Sequence, residues 1–253
     1  MSGPGLPETR QVRPTHELGR KAFAELVGSA LLSATVVGSG IAAQRLSPAD
    51  TGLQLLENAI ITGAVLVALI LALGPVSAAF NPVVTLAERV LGAVTTTAAA
   101  VYVVAQVVGC SIGVMLANLM FGLDAVNVSG KERSAGGLWL GEVVATFGLV
   151  VVIFGVARSG RPTHVAYAVG GYITAAYWFT SSTSFANPAI TVARMLSDTF
   201  AGIAPTSVPL FVLMQLLGGA LAVGAVLVLY PRVRGIASDL TRLSESVDRE
   251  LRP

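Results

Sequence analysis

The chain has 253 residues, of which 54% are hydrophobic and only 12% charged, with a mean hydropathy of +0.75. That balance excludes a water-soluble globular domain, and a formal net charge of +2 gives no nucleic-acid footprint. One cysteine, Cys110, excludes an intramolecular disulfide and argues against a thiolate metal cluster.

Residues 1–20 read as a disordered tail. Its start carries Gly3, Pro4, Gly5, Pro7 and Pro14 and lacks the apolar core of a cleavable signal peptide, so the first span is retained. Crossing ~30 Å of hydrocarbon takes ~20 apolar residues. Six runs approach that length: Ala22–Ala43, Leu53–Leu73, Val94–Leu119, Leu138–Ala157, the shorter Val165–Thr180, and Val208–Tyr230. Two further apolar stretches, Pro82–Leu91 and Pro188–Leu196, are too short to span. They suit re-entrant half-helices, which survive at membrane depth only where protein or a wet cavity surrounds them. Beyond the sixth span, residues 232–253 keep Ile236, Leu240, Leu243, Val247 and Leu251 at helical spacing, consistent with a short cytoplasmic helix.

Basic residues set the orientation. With both termini in the cytoplasm, Arg20, Lys21, Arg89, Arg158, Arg161, Arg232 and Arg234 lie inside, and only Arg45, Lys131, Arg133 and Arg194 lie outside. The expected protein is therefore multi-pass, with membrane lipid as its surroundings.

The chain divides near the loop Leu123–Gly137 into repeats of about 21–122 and 138–231. Each repeat runs in the order glutamate span, span, Asn-Pro motif, glutamine span: Glu25, Asn81-Pro82-Val83 and Gln106 in the first, Glu142, Asn187-Pro188-Ala189 and Gln215 in the second. Three spans per repeat is an odd number, so the two insert in opposite directions. Inverted repeats with interrupted segments in matching places point to a substrate path near the midplane. Proline fits the first turn of a helix and asparagine its N-cap, so Asn81 and Asn187 are expected to start two half-helices at the pore centre. Their amides retain donors for the lumen, and two facing helix N-termini oppose cations. Glu25 and Glu142 sit at membrane depth, where an unpaired charge is costly. Equivalent placement favours a supporting role, accepting N–H groups from the irregular backbone before each half-helix, over a proton relay. His16 and His164 have no metal partner at ligand spacing, and no metal or cofactor is expected. Glycines within the spans, among them Gly28, Gly109, Gly113 and Gly218, suit close helix packing.

These motifs resemble the aquaporin, or major intrinsic protein, family over Lys21 to Pro231. The resemblance implies an all-α membrane protein with an inverted repeat, in which a right-handed bundle of six tilted spans encloses two re-entrant half-helices. It also implies a homotetramer with one pore per subunit. The stretch Tyr177–Arg194 looks like a bacterial branch associated with arsenic resistance, which implies neutral metalloid acids such as arsenite as solutes and a bacterial inner-membrane location. The arginine usual after the second motif is replaced by Ile190, and the histidine usual before the first motif is missing in Ser77-Ala-Ala-Phe80. By alignment the selectivity filter is Thr62, Ala175 (or Thr174 with a one-residue gap), Ser184 and Ile190. This set is small or aliphatic and suits a wider, less polar pore. Arg194, one turn beyond Ile190, supplies an outer-vestibule charge that Asp198 is placed to pair with.

The functional reading is a passive channel for small uncharged solutes: arsenite or organoarsenicals, glycerol, and water. The competing class is an ion- or proton-coupled transporter built on the same repeat. An enzyme is not expected, because no nucleophile–base pair or metal cluster is present.

Overall fold

The computed structural model describes residues 14–231. The proline-rich start and the helix expected over 232–253 lie outside the described residues. Eight α-helices occur among them: α1 (Pro14–Leu46), α2 (Thr51–Leu73), α3 (Pro82–Val90), α4 (Thr96–Met120), α5 (Gly136–Arg158), α6 (Val165–Phe179), α7 (Pro188–Ala193) and α8 (Val208–Leu229). Six are spans, and α3 and α7 are the half-helices. The order α1 to α4 repeats as α5 to α8, so the fold is the expected all-α inverted repeat.

Five of the spans are long and apolar enough to cross a bilayer unaided. The sixth, α6, has 15 residues and is extended at its start by a 3₁₀ turn over Pro162–His164. Each span turns bulky apolar groups outward, for example Phe23, Ile60, Val104, Leu140, Trp178 and Leu221, all more than half exposed. In water that surface would be a liability; against lipid it is the expected outer face.

The first helix begins at Pro14, so residues 14–20 are helical rather than part of a disordered tail. Proline suits a helix start, and Glu17 pairs with Lys21 one turn on, at 2.7 Å.

Packing in each half depends on one close approach. A Cβ on Gly109 would fall onto the carbonyl oxygen of Leu26, and a Cβ on Gly218 onto that of Val143. Each glycine lies three residues after the glutamine of its repeat, and each target lies one residue after the glutamate. The α1–α4 and α5–α8 pairs therefore meet backbone to backbone at equivalent points.

We expect Gly109→Leu or Gly218→Leu to abolish the monodisperse folded protein. Overpacking typically costs about 1–3 kcal/mol, and here the obstacle is backbone that cannot move aside. Gly171→Ala, at an exposed α6 position with open space around it, is expected to stay near wild type. Size-exclusion profiles and thermal unfolding in detergent check both outcomes.

Candidate functional site

Asn81 and Asn187 sit at the starts of α3 and α7 in extended backbone, each followed by proline in the first turn. The Asn81 Oδ1 accepts from Val83 N at 2.9 Å, and the Asn187 Oδ1 accepts from Ala189 N at 3.0 Å. Each amide nitrogen then crosses to the other repeat. Asn81 Nδ2 donates to Ala186 O, and Asn187 Nδ2 donates to Phe80 O, both at 2.7 Å. The two half-helices therefore meet start to start, through the residue preceding each asparagine. That residue is left-handed in both copies, with φ of 48° at Phe80 and 46° at Ala186, a conformation that costs an L-residue roughly 1–2 kcal/mol.

Two buried carboxylates hold those strained turns. Glu25 accepts from Ser77 Oγ and Ala79 N on one oxygen, and from Phe80 N and Gln106 Nε2 on the other. Glu142 accepts from Phe185 N and Ala186 N at 2.9 Å, and from Gln215 Nε2 at 2.6 Å. Each glutamine also donates to the threonine four residues after its asparagine: Gln106 to Thr85 at 2.9 Å and Gln215 to Thr191 at 2.8 Å. Glutamate, glutamine and threonine thus link a long span, a neighbouring span and a half-helix in each repeat. All six side chains are fully buried.

One cavity of about 280 Å³ passes the two asparagines and is lined at its ends by Glu88 and Arg194. Its wall is largely aliphatic, with Leu32, Val36, Leu66, Val84, Leu149 and Val169 among its lining residues. Of the filter residues expected from alignment, Thr62, Ser184 and Ile190 line this cavity and Ala175 does not. Ala175 is exposed on the outer face of α6. The alternative, Thr174, points to the α2 contact, donating to Gly170 O at 2.8 Å. The inward face of α6 is instead Val165, Val169, Ile173 and Tyr177, spaced by four, and the Tyr177 hydroxyl lies 3.2 Å from Thr62 Oγ1. That spacing was available in the sequence. Counting back from Asn187 obscured it, because the intervening backbone is not helical and carries positive φ at Thr183, Ser184 and Ala186.

Arg194 is buried beside Ile190's end of the cavity. Its Nε donates to Ala201 O, and its guanidinium carbon lies 3.4 Å from the centroid of the Phe185 ring. The expected pairing with Asp198 is not formed. Asp198 Oδ1 instead accepts from Ser129 Oγ at 3.2 Å and Gly130 N at 3.1 Å. It thereby fastens the α4–α5 loop, which is also joined to the α7 exit by Asn127 N to Leu196 O and Ser129 N to Met195 O. The fastened loop brings in a group that sequence reasoning missed. Arg133 is 9% exposed, donates from Nε to Gly202 O at 3.0 Å, and lies 4.9 Å from the same Phe185 centroid. No local pattern marked it, since its position comes from long-range loop contacts. Lys131 is nearby; burial pushes its ammonium down to about 8, and it still carries its charge at neutral pH. Three cations thus gather at this end of the cavity.

The family profile described as Major intrinsic protein matches residues 13–165. The chain belongs to that family. It is 50% identical over 207 residues to the aquaglyceroporin AqpS of Rhizobium meliloti (strain 1021), an alignment covering 81% of this chain and 88% of the relative. It is also 33% identical over 153 residues to aquaporin NIP1-2 of Arabidopsis thaliana, covering 56% of this chain and 51% of that one. Among solved structures it resembles the aquaglyceroporin of Plasmodium falciparum, with a TM-score of 0.67 and 18% identity, over 85% of this chain and 98% of that one. The fold and the channel class follow, and the chain is not an enzyme.

The carboxylate contacts generate a graded expectation. Glu25→Gln keeps one acceptor and should lower the unfolding midpoint moderately. Glu25→Leu strands the Ala79 and Phe80 N–H groups, at about 1–3 kcal/mol for each unpaired donor, and should leave little folded protein. Thermal unfolding of both variants in detergent checks the order; equal loss in both would count against a supporting carboxylate.

Proposed function

We propose that this channel conducts small uncharged solutes passively, with glycerol-sized polyols and metalloid acids such as arsenite or organoarsenicals as its solute class and water as a co-permeant. The observation that carries the reading is the composition of the cavity near Arg194. Ile190 stands one turn after Asn187, where a charged donor would narrow the path. Thr62, Tyr177 and Ser184 complete the surroundings with a few hydroxyls on an apolar wall. A hydroxylated neutral solute exchanges its water for the asparagine amides and these hydroxyls, and presents its carbon or metalloid side to the aliphatic wall. The printed description of AqpS as an aquaglyceroporin, at 50% identity, supports the same solute size class.

The positive-inside balance supports both termini in the cytoplasm, with Arg194 at the outer mouth and Glu88 at the inner mouth, and the resemblance to a bacterial branch supports an inner-membrane location. The family resemblance supports a homotetramer. Stopped-flow swelling of proteoliposomes with water, glycerol, urea and arsenite tests the solute class. Flux that depended on a sodium or proton gradient would overturn the passive reading in favour of a coupled transporter.

Ile190→Arg adds bulk and donors to the apolar wall, and is expected to cut glycerol and arsenite flux several-fold more than water flux. An unchanged flux ratio would place the constriction elsewhere. Arg194→Ala is expected to raise cation leak while neutral-solute flux persists, measured as potassium efflux beside glycerol swelling in the same vesicles.

A further inference from the structure

The two half-helices present their residues to the cavity in the same register. On the first, Asn81, Val84 and Glu88 line it; on the second, Asn187, Ile190 and Arg194 do. The offsets from each asparagine are equal, so Glu88 is the repeat-related counterpart of Arg194. Both stand about 10 Å along the helix from the cavity centre, at opposite mouths. Among the residues lining the cavity, Glu88 is the only acidic one and Arg194 the only basic one.

The two charges that line the cavity differ in sign. Around Arg194, Arg133 and Lys131 add positive charge; Asp198, held by Ser129 and Gly130, and Glu132, held by Thr206 and Ser207, keep their negative charge but form no ion pair with these cations among the described residues. At the other mouth, no ion pair or side-chain hydrogen bond of Glu88 is formed among the described residues. Its neighbour Arg89 is turned to Thr96, at 2.7 Å.

We propose that Glu88 is a specificity-determining residue, the anion barrier of this pore. The inference rests on the channel reading above and extends it. A path charged only at the Arg194 mouth rejects cations but attracts anions, and a wide aliphatic wall with Ile190 in place of a charged donor has no means of turning them back. Burial pushes the Glu88 carboxyl up to about 8; once ionised, at the far mouth and in series with the arginines, it repels any anion the first mouth admits. A neutral solute meets neither barrier. The inverted repeat has in this way placed one charge of each sign at equivalent positions, and the pair together restrict the path to uncharged molecules.

The test uses the full-length chain reconstituted in proteoliposomes. It reads nitrate permeability at pH 9, where the Glu88 carboxyl is ionised, at a potential clamped with potassium and valinomycin, as a ratio to glycerol permeability. Nitrate has no neutral form near neutral pH and so reports the anion alone. Glu88→Gln is expected to raise the nitrate-to-glycerol ratio at least tenfold, the equivalent of about 1.4 kcal/mol, and Glu88→Asp is expected to keep it close to wild type. If the glutamine variant does not reconstitute, Glu88→Ala is read in the same way. A ratio that stays at the wild-type value in a neutral variant that still passes glycerol overturns the proposal. So does an aspartate variant that leaks as much as the neutral one, because the effect then follows shape rather than charge. Failure of the channel reading is separately visible, as a wild-type protein that passes glycerol no faster than empty vesicles.

Discussion

The pair of bonds from Asn81 to Ala186 and from Asn187 to Phe80 is the constraint on which the rest of the structure depends. Each asparagine caps its own half-helix with its oxygen and holds the other repeat's strained turn with its nitrogen. Neither half can make the site alone, because each lacks the carbonyl that its amide needs. The clasp also fixes the left-handed backbone of Phe80 and Ala186, which an isolated chain would relax. Glu25 and Glu142 make that backbone tolerable by accepting the N–H groups it turns away from any helix. Buried carboxylates in a membrane are ordinarily expensive. Here three or four donors surround each one, and removing a carboxylate leaves those donors unpaired.

The repeats preserve this hydrogen-bonded skeleton and exchange volume around it. Phe80 precedes Asn81, whereas Ala186 precedes Asn187. Three residues after Glu25 stands Gly28, where a Cβ would strike the Phe80 ring; three residues after Glu142 stands Ala145, fully buried. A large ring beside a glycine in one half stands where the other half has two alanines, and the glycine is what makes room for the ring. Divergence of the same kind on the cavity face gives Val84 opposite Ile190 and Glu88 opposite Arg194. The skeleton cannot change without stranding a donor, whereas the cavity-facing Val84, Glu88, Ile190 and Arg194 lie outside that hydrogen-bonded network, and selectivity is therefore free to vary there.

This division explains what could be read from the sequence. The spans were legible because length and apolar content decide them, and the half-helices because Asn-Pro is a cap followed by a first-turn residue. Glu25 and Glu142 were legible because duplication showed them to be equivalent. The α6 contribution was misplaced at Ala175 because register cannot be counted through Thr180–Asn187, where left-handed residues alter the rise per residue; the fourfold spacing ending at Tyr177 was the better guide. Arg133 left no local signal, since the loop that carries it is fixed by Asp198 and by the backbone of Met195 and Leu196. Asp198 was expected beside Arg194 on helical spacing. That spacing lapses where α7 ends at Ala193 and a 3₁₀ turn takes over.

The short length of α7 sets where Arg194 is held. After six residues the chain tightens into the 3₁₀ turn that begins with Arg194, and its guanidinium lies against Phe185 while donating to Ala201 O. Phe185 is itself held, because its N–H is bound by Glu142 at 2.9 Å. The charge at this mouth is thus positioned through Phe185 by the same carboxylate that supports the half-helix start. A free arginine would spend up to about 2 kcal/mol of rotamer entropy to stay in one place, and an unanchored one would swing into the lumen. Anchoring it one turn beyond Ile190 separates two tasks that one arginine at Ile190's position would combine: the field is set at Arg194, and the wall at Ile190 is left to an aliphatic side chain.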